Sequence, residues 1–504
     1  MTDVVVVGSG FAGLAMAARL RGAGVSDFVV LERADEVGGT WRDNTYPGAT
    51  CDVPSHLYSF SFRANPGWTY SFSRQAEIQA YLRRCADELG VRPHLRLGHE
   101  MLGADWDERR CLWVVSTTGG VFEATHLVSA TGALSDPATP ALPGLDRFAG
   151  TVFHSARWDH GADLAGRNVA VIGTGASAVQ FVPEIQPVVG RLSVYQRTAP
   201  WVVPRRDRRM GRRERSAYAR WPALQRLVRG SISWAREGFV AGFHHPAALR
   251  AVEGVARRHL RRQVPDPALR GALTPAYTIG CKRILLSNDY YPALCRPNVE
   301  LVTDGIAEVR EHSMVTVDGT ERPVDTVIFA TGFHVTDLPA ASRIRGRDGV
   351  VLRDAWAAGM EAYKGTTVAG FPNLWFVVGP NTGLGHTSMV IMIEAQAGYV
   401  GDALRQMRRR GLRTAEVRVA AQDRYNAAVQ RRLATTVWSV GGCSSWYLDE
   451  RGRNTTLWPG TTWSFRRRTH RFDPGAYDLG APVTPAGPAV PPARVPDQDP
   501  VPVV

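Results

Sequence analysis

No stretch of this sequence is apolar for long enough to cross a bilayer. Its start does not read as a secretion signal either: the apolar run Val4–Val7 follows Asp3, has no basic flank and breaks at once into glycines. Both absences lead to the expectation of a cytoplasmic protein without a transmembrane segment. Cysteine is scarce, with only Cys51, Cys85, Cys111, Cys281, Cys295 and Cys443, and no CxxC pair or cysteine–histidine spacing occurs. The expectation is therefore reduced thiols and no metal site. A CxxxxC redox pair is also missing, which argues against a disulfide reductase. Nothing repeats in tandem, and no nucleic-acid-binding motif is present, so no nucleic-acid partner is expected.

Within 504 residues there is room for two or three packed domains. The formal charge is +13, and it is concentrated. Between Arg205 and Arg262 stand 16 arginines against Asp207, Glu214, Glu237 and Glu253, so the rest of the chain is nearly neutral. Without a binding motif, this stretch reads as a solvated helical insert, with attraction of a polyphosphate cofactor as a second reading.

Two segments share one pattern. Val4–Val7 is followed by Gly8, Gly10 and Gly13; Val169–Ile172 is followed by Gly173, Gly175 and Ala178. A short continuous apolar run reads as the buried strand of a parallel sheet, and the glycine turn and alanine-rich stretch after it as the start of a helix. The fold class is thus α/β, with two Rossmann-like dinucleotide-binding domains and a helical insertion. The expected division is 1–155 for the first part of one domain, 156–325 for the second domain with an insert at about 205–270, and 326–480 for the return to the first. The last 24 residues, 481–504, hold 8 prolines and read as a disordered tail.

The first turn reads Gly8-Ser9-Gly10-Phe11-Ala12-Gly13. The first glycine allows a tight turn, the second lets backbone approach a pyrophosphate, and the third lets helix pack on strand. Free N–H groups at the helix start then face the phosphates. Glu32 ends the next apolar run, Phe28–Leu31, where an acid accepts hydrogen bonds from a ribose. Beyond it, Gly38-Gly39-Thr40-Trp41 through Tyr46-Pro47-Gly48 to Asp52 fits [AG]GxWxxxx[FY]P[GM]xxxD at every fixed position. Phe148 to Asp159 fits FxGxxxHxxxWD, with His154 and Trp158-Asp159 at its fixed places.

By these two motifs the sequence resembles the Baeyer–Villiger monooxygenases, within the single-component FAD- and NADPH-dependent flavoprotein monooxygenases. The resemblance covers most of residues 1–480. It implies that Gly39, Thr40, Trp41, Asp52 and Tyr58 lie along the flavin of FAD. His154 is read as a structural residue at a joint between domains, not as a base. Thr50 departs from the family, which often has arginine there, so the charge around Asp52 is expected to differ.

In the second turn, Gly173-Thr174-Gly175-Ala176-Ser177-Ala178, an alanine stands in place of the third glycine. The strand after it ends in Arg197-Thr198 with no acid at the ribose position. A cation there suits the extra phosphate of NADPH, whereas an acid would repel it. Lys282 joins the cofactor-binding set, as do Thr331 and Gly332 of one of two Ala-Thr-Gly segments that end strands.

Flavin chemistry asks little of protein acids and bases. The resemblance implies that NADPH reduces FAD, that O₂ adds to the flavin, and that the resulting peroxide attacks a hydrophobic ketone to give an ester or lactone. A fixed cation would stabilise the charge that develops. Arg283, in Gly280-Cys281-Lys282-Arg283, maps onto that cation, oriented by Asp52, and guanidinium stays charged in a dry pocket. Asn381 and Met389 map onto the flavin-proximal turn and helix start, and Trp446 onto a cofactor-contacting tryptophan, though it reads equally well as core. Two alternatives stay open: an N- or S-oxygenating flavin monooxygenase, against which Trp158-Asp159 and Arg283 argue, and a non-catalytic nucleotide-binding scaffold. A monomer or a homodimer is expected.

Overall fold

The computed structural model describes residues 1–480; the expected disordered tail from Ala481 lies outside them. Two sheets organise the chain. The first runs, by hydrogen-bonded neighbours, Ile344–Arg345, Met101–Asp107, Leu112–Thr117, Gly120–Ser129, Thr2–Val7, Phe28–Leu31 and Leu95–Arg96, with Leu374–Phe376 also paired to Gly120–Ser129. Val4–Val7 is buried on both faces, in parallel register with Phe28–Leu31 and with the end of Gly120–Ser129. That is why it reads as an unbroken apolar run and not as an alternating one. Helix Phe11–Gly22 shares its core with the long helix Met389–Arg409 through Leu14, Met16, Ala397 and Val400.

The second sheet is all parallel: Val299–Val302, Arg191–Tyr195, Asn168–Ile172, Thr326–Phe329 and Thr151–His154. Strands Thr151–His154 and Thr326–Phe329 therefore both belong to the second sheet, whereas divisions at 155 and 325 would split them from it. The chain passes between sheets just before Thr151 and just after Phe329. Thr326–Phe329 pairs with Asn168–Ile172 on one side and with the edge strand Thr151–His154 on the other, and this pairing is non-local, so no sequence pattern marks it.

The basic stretch is helical, as expected. Its helices are Arg212–Arg220, Pro222–Glu237, Phe239–His244, Arg250–Gln263 and Pro267–Ala272. Pro222 and Pro267 each open a helix, where a missing N–H costs nothing. The segment 451–473 supplies helix Thr462–Thr469. None of the helices among the described residues is long and apolar enough to cross a membrane.

The cysteine expectation is corrected in part. Cys281 and Cys443, 162 residues apart, are joined by a disulfide with their Cα atoms 6.1 Å apart, while Cys51, Cys85, Cys111 and Cys295 are free. No local spacing signals a bond that tertiary packing alone brings together.

Candidate active site

Gly8 and Gly173 hold the two dinucleotide turns in equivalent ways. Gly8 has φ of +101°, and a Cβ there would lie 2.6 Å from the Ala130 carbonyl oxygen; Gly173 has φ of +107°, and its Cβ would lie 2.6 Å from that of Ala330. Each Ala-Thr-Gly segment thus ends its strand against the first glycine of a turn, which gives those two short segments their structural meaning. The third positions differ. A Cβ on Gly13 would meet the Gly8 oxygen at 1.8 Å, so only glycine fits, whereas Ala178 is fully buried without conflict. The second helix therefore stands slightly further from its turn.

A cavity of about 310 Å³ opens over the first turn. Among the expected cofactor residues, Gly8, Ser9, Gly10, Phe11, Ala12, Glu32, Gly39, Thr40, Trp41, Tyr58, Arg283, Met389 and Trp446 all line it. At Gly10 a Cβ would meet nothing closer than 3.7 Å, so backbone there is open to a ligand. Glu32 is braced from beneath: it accepts from the Ser9 N–H at 3.0 Å and hydroxyl at 2.7 Å, and pairs with Arg42 at 2.8 Å. Trp41 donates to the Tyr58 hydroxyl at 3.0 Å, the two rings meeting edge to face. Such a glycine-lined, aromatic-walled cleft fits a flavin dinucleotide.

Arg283 lines the cavity, and Asp52 holds it from behind the lining. The guanidinium donates through Nε and Nη2 to the two carboxylate oxygens at 2.5 and 2.6 Å, a bidentate pair. Burial alone would raise the Asp52 carboxyl; the charge and hydrogen bonds of Arg283 outweigh it and hold Asp52 below its ordinary value. The Asp52 charge, reciprocally, raises Arg283, so it stays cationic.

Residues that sequence reading did not single out surround this pair. Arg236, from the insert helix Pro222–Glu237, also lowers Asp52 through its charge and donates to the His386 carbonyl at 2.9 Å. Beside it, buried Glu237 accepts from the Thr462 N–H and hydroxyl and lies 3.4 Å from His386 Nε2. Burial would raise Glu237, but the bonds from His386 and Thr462 leave it lowered. At Thr50, where the charge was expected to differ, Arg74 donates to the hydroxyl at 3.0 Å. The charge near Asp52 thus comes from other parts of the chain.

At the second turn, Thr174 donates to the Thr198 carbonyl at 3.3 Å, joining turn and strand end. Arg197 and Thr198 are exposed, and Ser177 and Lys282 half-buried. Lys282 is lowered by burial and then by the charge of Arg197, so the two cations are neighbours, and neither has a carboxylate partner within 4.0 Å among the described residues. Unpaired neighbouring cations beside a dinucleotide turn suit a phosphate.

Asn381, Thr331 and Gly332 are not part of the cavity lining. Asn381 is 2% exposed and donates to the carbonyls of Asn454 and Leu457, bracing its turn and not lining the cavity. Thr331 spends its hydroxyl on the Ala138 carbonyl at 2.6 Å, and Gly332 follows with φ of +88° at the crossing between sheets. His154 is buried, accepts from the Ala156 N–H at 3.0 Å and is pushed down by burial to about 4, so it is neutral and structural. Trp158 packs edge-on against Phe153 and near Phe181, fixing the joint.

Residues 5–210 match the family model of pyridine nucleotide-disulphide oxidoreductases. A Baeyer-Villiger monooxygenase of Streptomyces coelicolor is 55% identical over 94% of this chain and 92% of its own length, and one of Pseudomonas aeruginosa is 53% identical over 94% and 91%. Among solved structures, cyclohexanone monooxygenase from Rhodococcus sp. Phi1 bound to NADP+ superposes with a TM-score of 0.86 at 30% identity, covering 95% of this chain and 99% of that one. Steroid monooxygenase bound to NADP superposes at 0.84 and 30% identity, over 95% and 100%.

Proposed function

The chain belongs to the Baeyer–Villiger monooxygenases, and from that premise we propose how its own residues divide the work on a hydrophobic ketone. The enzyme uses FAD and NADPH to insert one oxygen atom of O₂ beside the carbonyl, giving an ester or lactone. The Gly8–Gly13 turn, Glu32, Gly39–Trp41 and Tyr58 hold FAD. The Gly173–Ala178 turn, Arg197, Thr198 and Lys282 hold NADPH. Bound FAD, once reduced by NADPH, supplies the activated oxygen.

The observation that carries the reading is Arg283 at the wall of the flavin cavity, held by a bidentate pair with Asp52. A cation fixed before reaction needs no reorganisation when the ketone oxygen takes negative charge. Asp52 aims the guanidinium, and Trp446, Leu384 and Leu457 give the same cavity an apolar side for the ketone. An N- or S-oxygenation needs no such stabilised oxyanion on the substrate, so the pair favours ketone oxidation.

The test is product analysis with purified holoenzyme, NADPH and a panel of cyclic and aryl ketones under ¹⁸O₂. Esters or lactones bearing one heavy oxygen are expected. Oxidation of amines or sulfides only, with every ketone returned unchanged, would overturn the reading.

A further inference from the structure

Helix Pro222–Glu237 is inverted: its polar side faces the protein and its apolar side faces out. On the inner face, Gln225 donates to the Asn65 carbonyl at 2.7 Å, Arg229 to the carbonyls of His56 and Ser59, and Arg236 to that of His386. Only Ile232 adds an apolar contact there. On the opposite face, Leu224, Leu227 and Trp234 recur at helical spacing and are 40%, 70% and 70% exposed, with Trp221, 57% exposed, just before the helix. Single exposed apolar residues are ordinary. A stripe of them on a helix that spends its polar side chains on the interior is not, and marks an unsatisfied surface.

The charge around the stripe identifies what covers it. From Arg215 to Arg236 there is no acidic residue. Arg212, Arg213, Arg220 and Arg226 are exposed, and none forms an ion pair among the described residues. A second copy of the chain would bring one arginine surplus against another. An anionic lipid surface instead offers negative headgroups to the arginines and an acyl boundary to leucine and tryptophan, the residues that favour that depth. We propose that this helix lies on an anionic phospholipid surface, its Leu224–Leu227–Trp234 face in the headgroup boundary. No helix among the described residues crosses the bilayer. Such docking would hold the enzyme where hydrophobic ketones concentrate, although it does not depend on the reaction.

The experiment uses holoenzyme and vesicles of phosphatidylcholine, alone or mixed with phosphatidylglycerol, with bound protein read by flotation. Anionic vesicles should bind at least about tenfold better than neutral ones, less so as salt rises. The double variant Leu227→Ser/Trp234→Ser should lose roughly tenfold or more of that binding, since it removes most of the inserted apolar area. Its flavin spectrum and turnover of a water-soluble ketone should be unchanged. Arg220→Glu/Arg226→Glu should abolish the preference for anionic lipid. Equal or absent binding of the wild type to both vesicles, or undiminished binding by the double variant, would overturn the proposal. So would a wild-type dimer that the double variant converts to monomer, because a second copy would then cover the face.

Discussion

Arg283 grips both carboxylate oxygens of Asp52 across 231 residues of sequence. The contact joins the loop after the first dinucleotide turn to a segment that follows the whole helical insert. Neither side chain hydrogen-bonds to the Gly8–Gly13 turn among the described residues, so altering the pair is expected to leave the cofactor site filled.

Arg283→Ala should therefore keep FAD and lose ester formation by about 10²–10³-fold or more, the worth of one preorganised donor. Oxygen should still be consumed by reduced enzyme and leave as hydrogen peroxide. Asp52→Asn should retain the arginine while freeing its aim, giving a smaller loss. Wild-type ester yield in the alanine variant, read by chromatography beside peroxide, would remove Arg283 from the site.

Arg197 and its neighbour Lys282 should select NADPH. A charge-assisted phosphate contact contributes about 1.5–3 kcal/mol, or roughly ten- to a hundredfold in affinity. Arg197→Ala should raise the KM for NADPH by that factor and barely change it for NADH. Equal losses with both coenzymes would place the phosphate elsewhere.

Much of this site was legible because its motifs report backbone geometry. Gly8 and Gly13 are dictated by atoms 2.6 and 1.8 Å from a would-be Cβ, constraints that any chain making this turn must meet. Arg283 was found through family spacing, not local chemistry. Arg236 could not be found: it is one of 16 arginines in its stretch, and what distinguishes it, a contact with His386 150 residues on and its charge near Asp52, is tertiary. The Cys281–Cys443 bond and the assignment of Thr151–His154 and Thr326–Phe329 to the second sheet escaped for the same reason, since each is decided by non-local packing.

That disulfide places a covalent tie two residues before Arg283 and three before Trp446. Closing a loop of this size restricts the unfolded chain, and measured losses on removing such bonds are about 2–4 kcal/mol. Cys443→Ser should lower the denaturation midpoint accordingly and make it insensitive to reductant, whereas the wild type should shift with reductant to the same value. Thiol titration of denatured, unreduced protein should count the four free cysteines. Six titrating thiols would show that the bond does not form.

Stability in mild acid should be governed by buried histidines. His126 lies wholly inside the first sheet, where burial pushes it down to about 3, and His154 is pushed by burial to about 4. His56 and His259 are lowered by burial as well. In the unfolded chain each titrates near 6.5. Above that value neither state binds the proton, and the full stability is present. As pH falls below it, the unfolded state takes up protons that the fold refuses, so stability is lost progressively until the folded values are reached. For His126 the loss between pH 6.5 and 5 is about 2 kcal/mol, in a range above most carboxylate titrations. Tm should thus fall across that interval, and His126→Gln should flatten the slope even if it lowers stability overall. The slope is the readout, because a merely structural role for the imidazole would shift every Tm equally. Identical slopes for wild type and variant would mean that His126 is protonated in the fold.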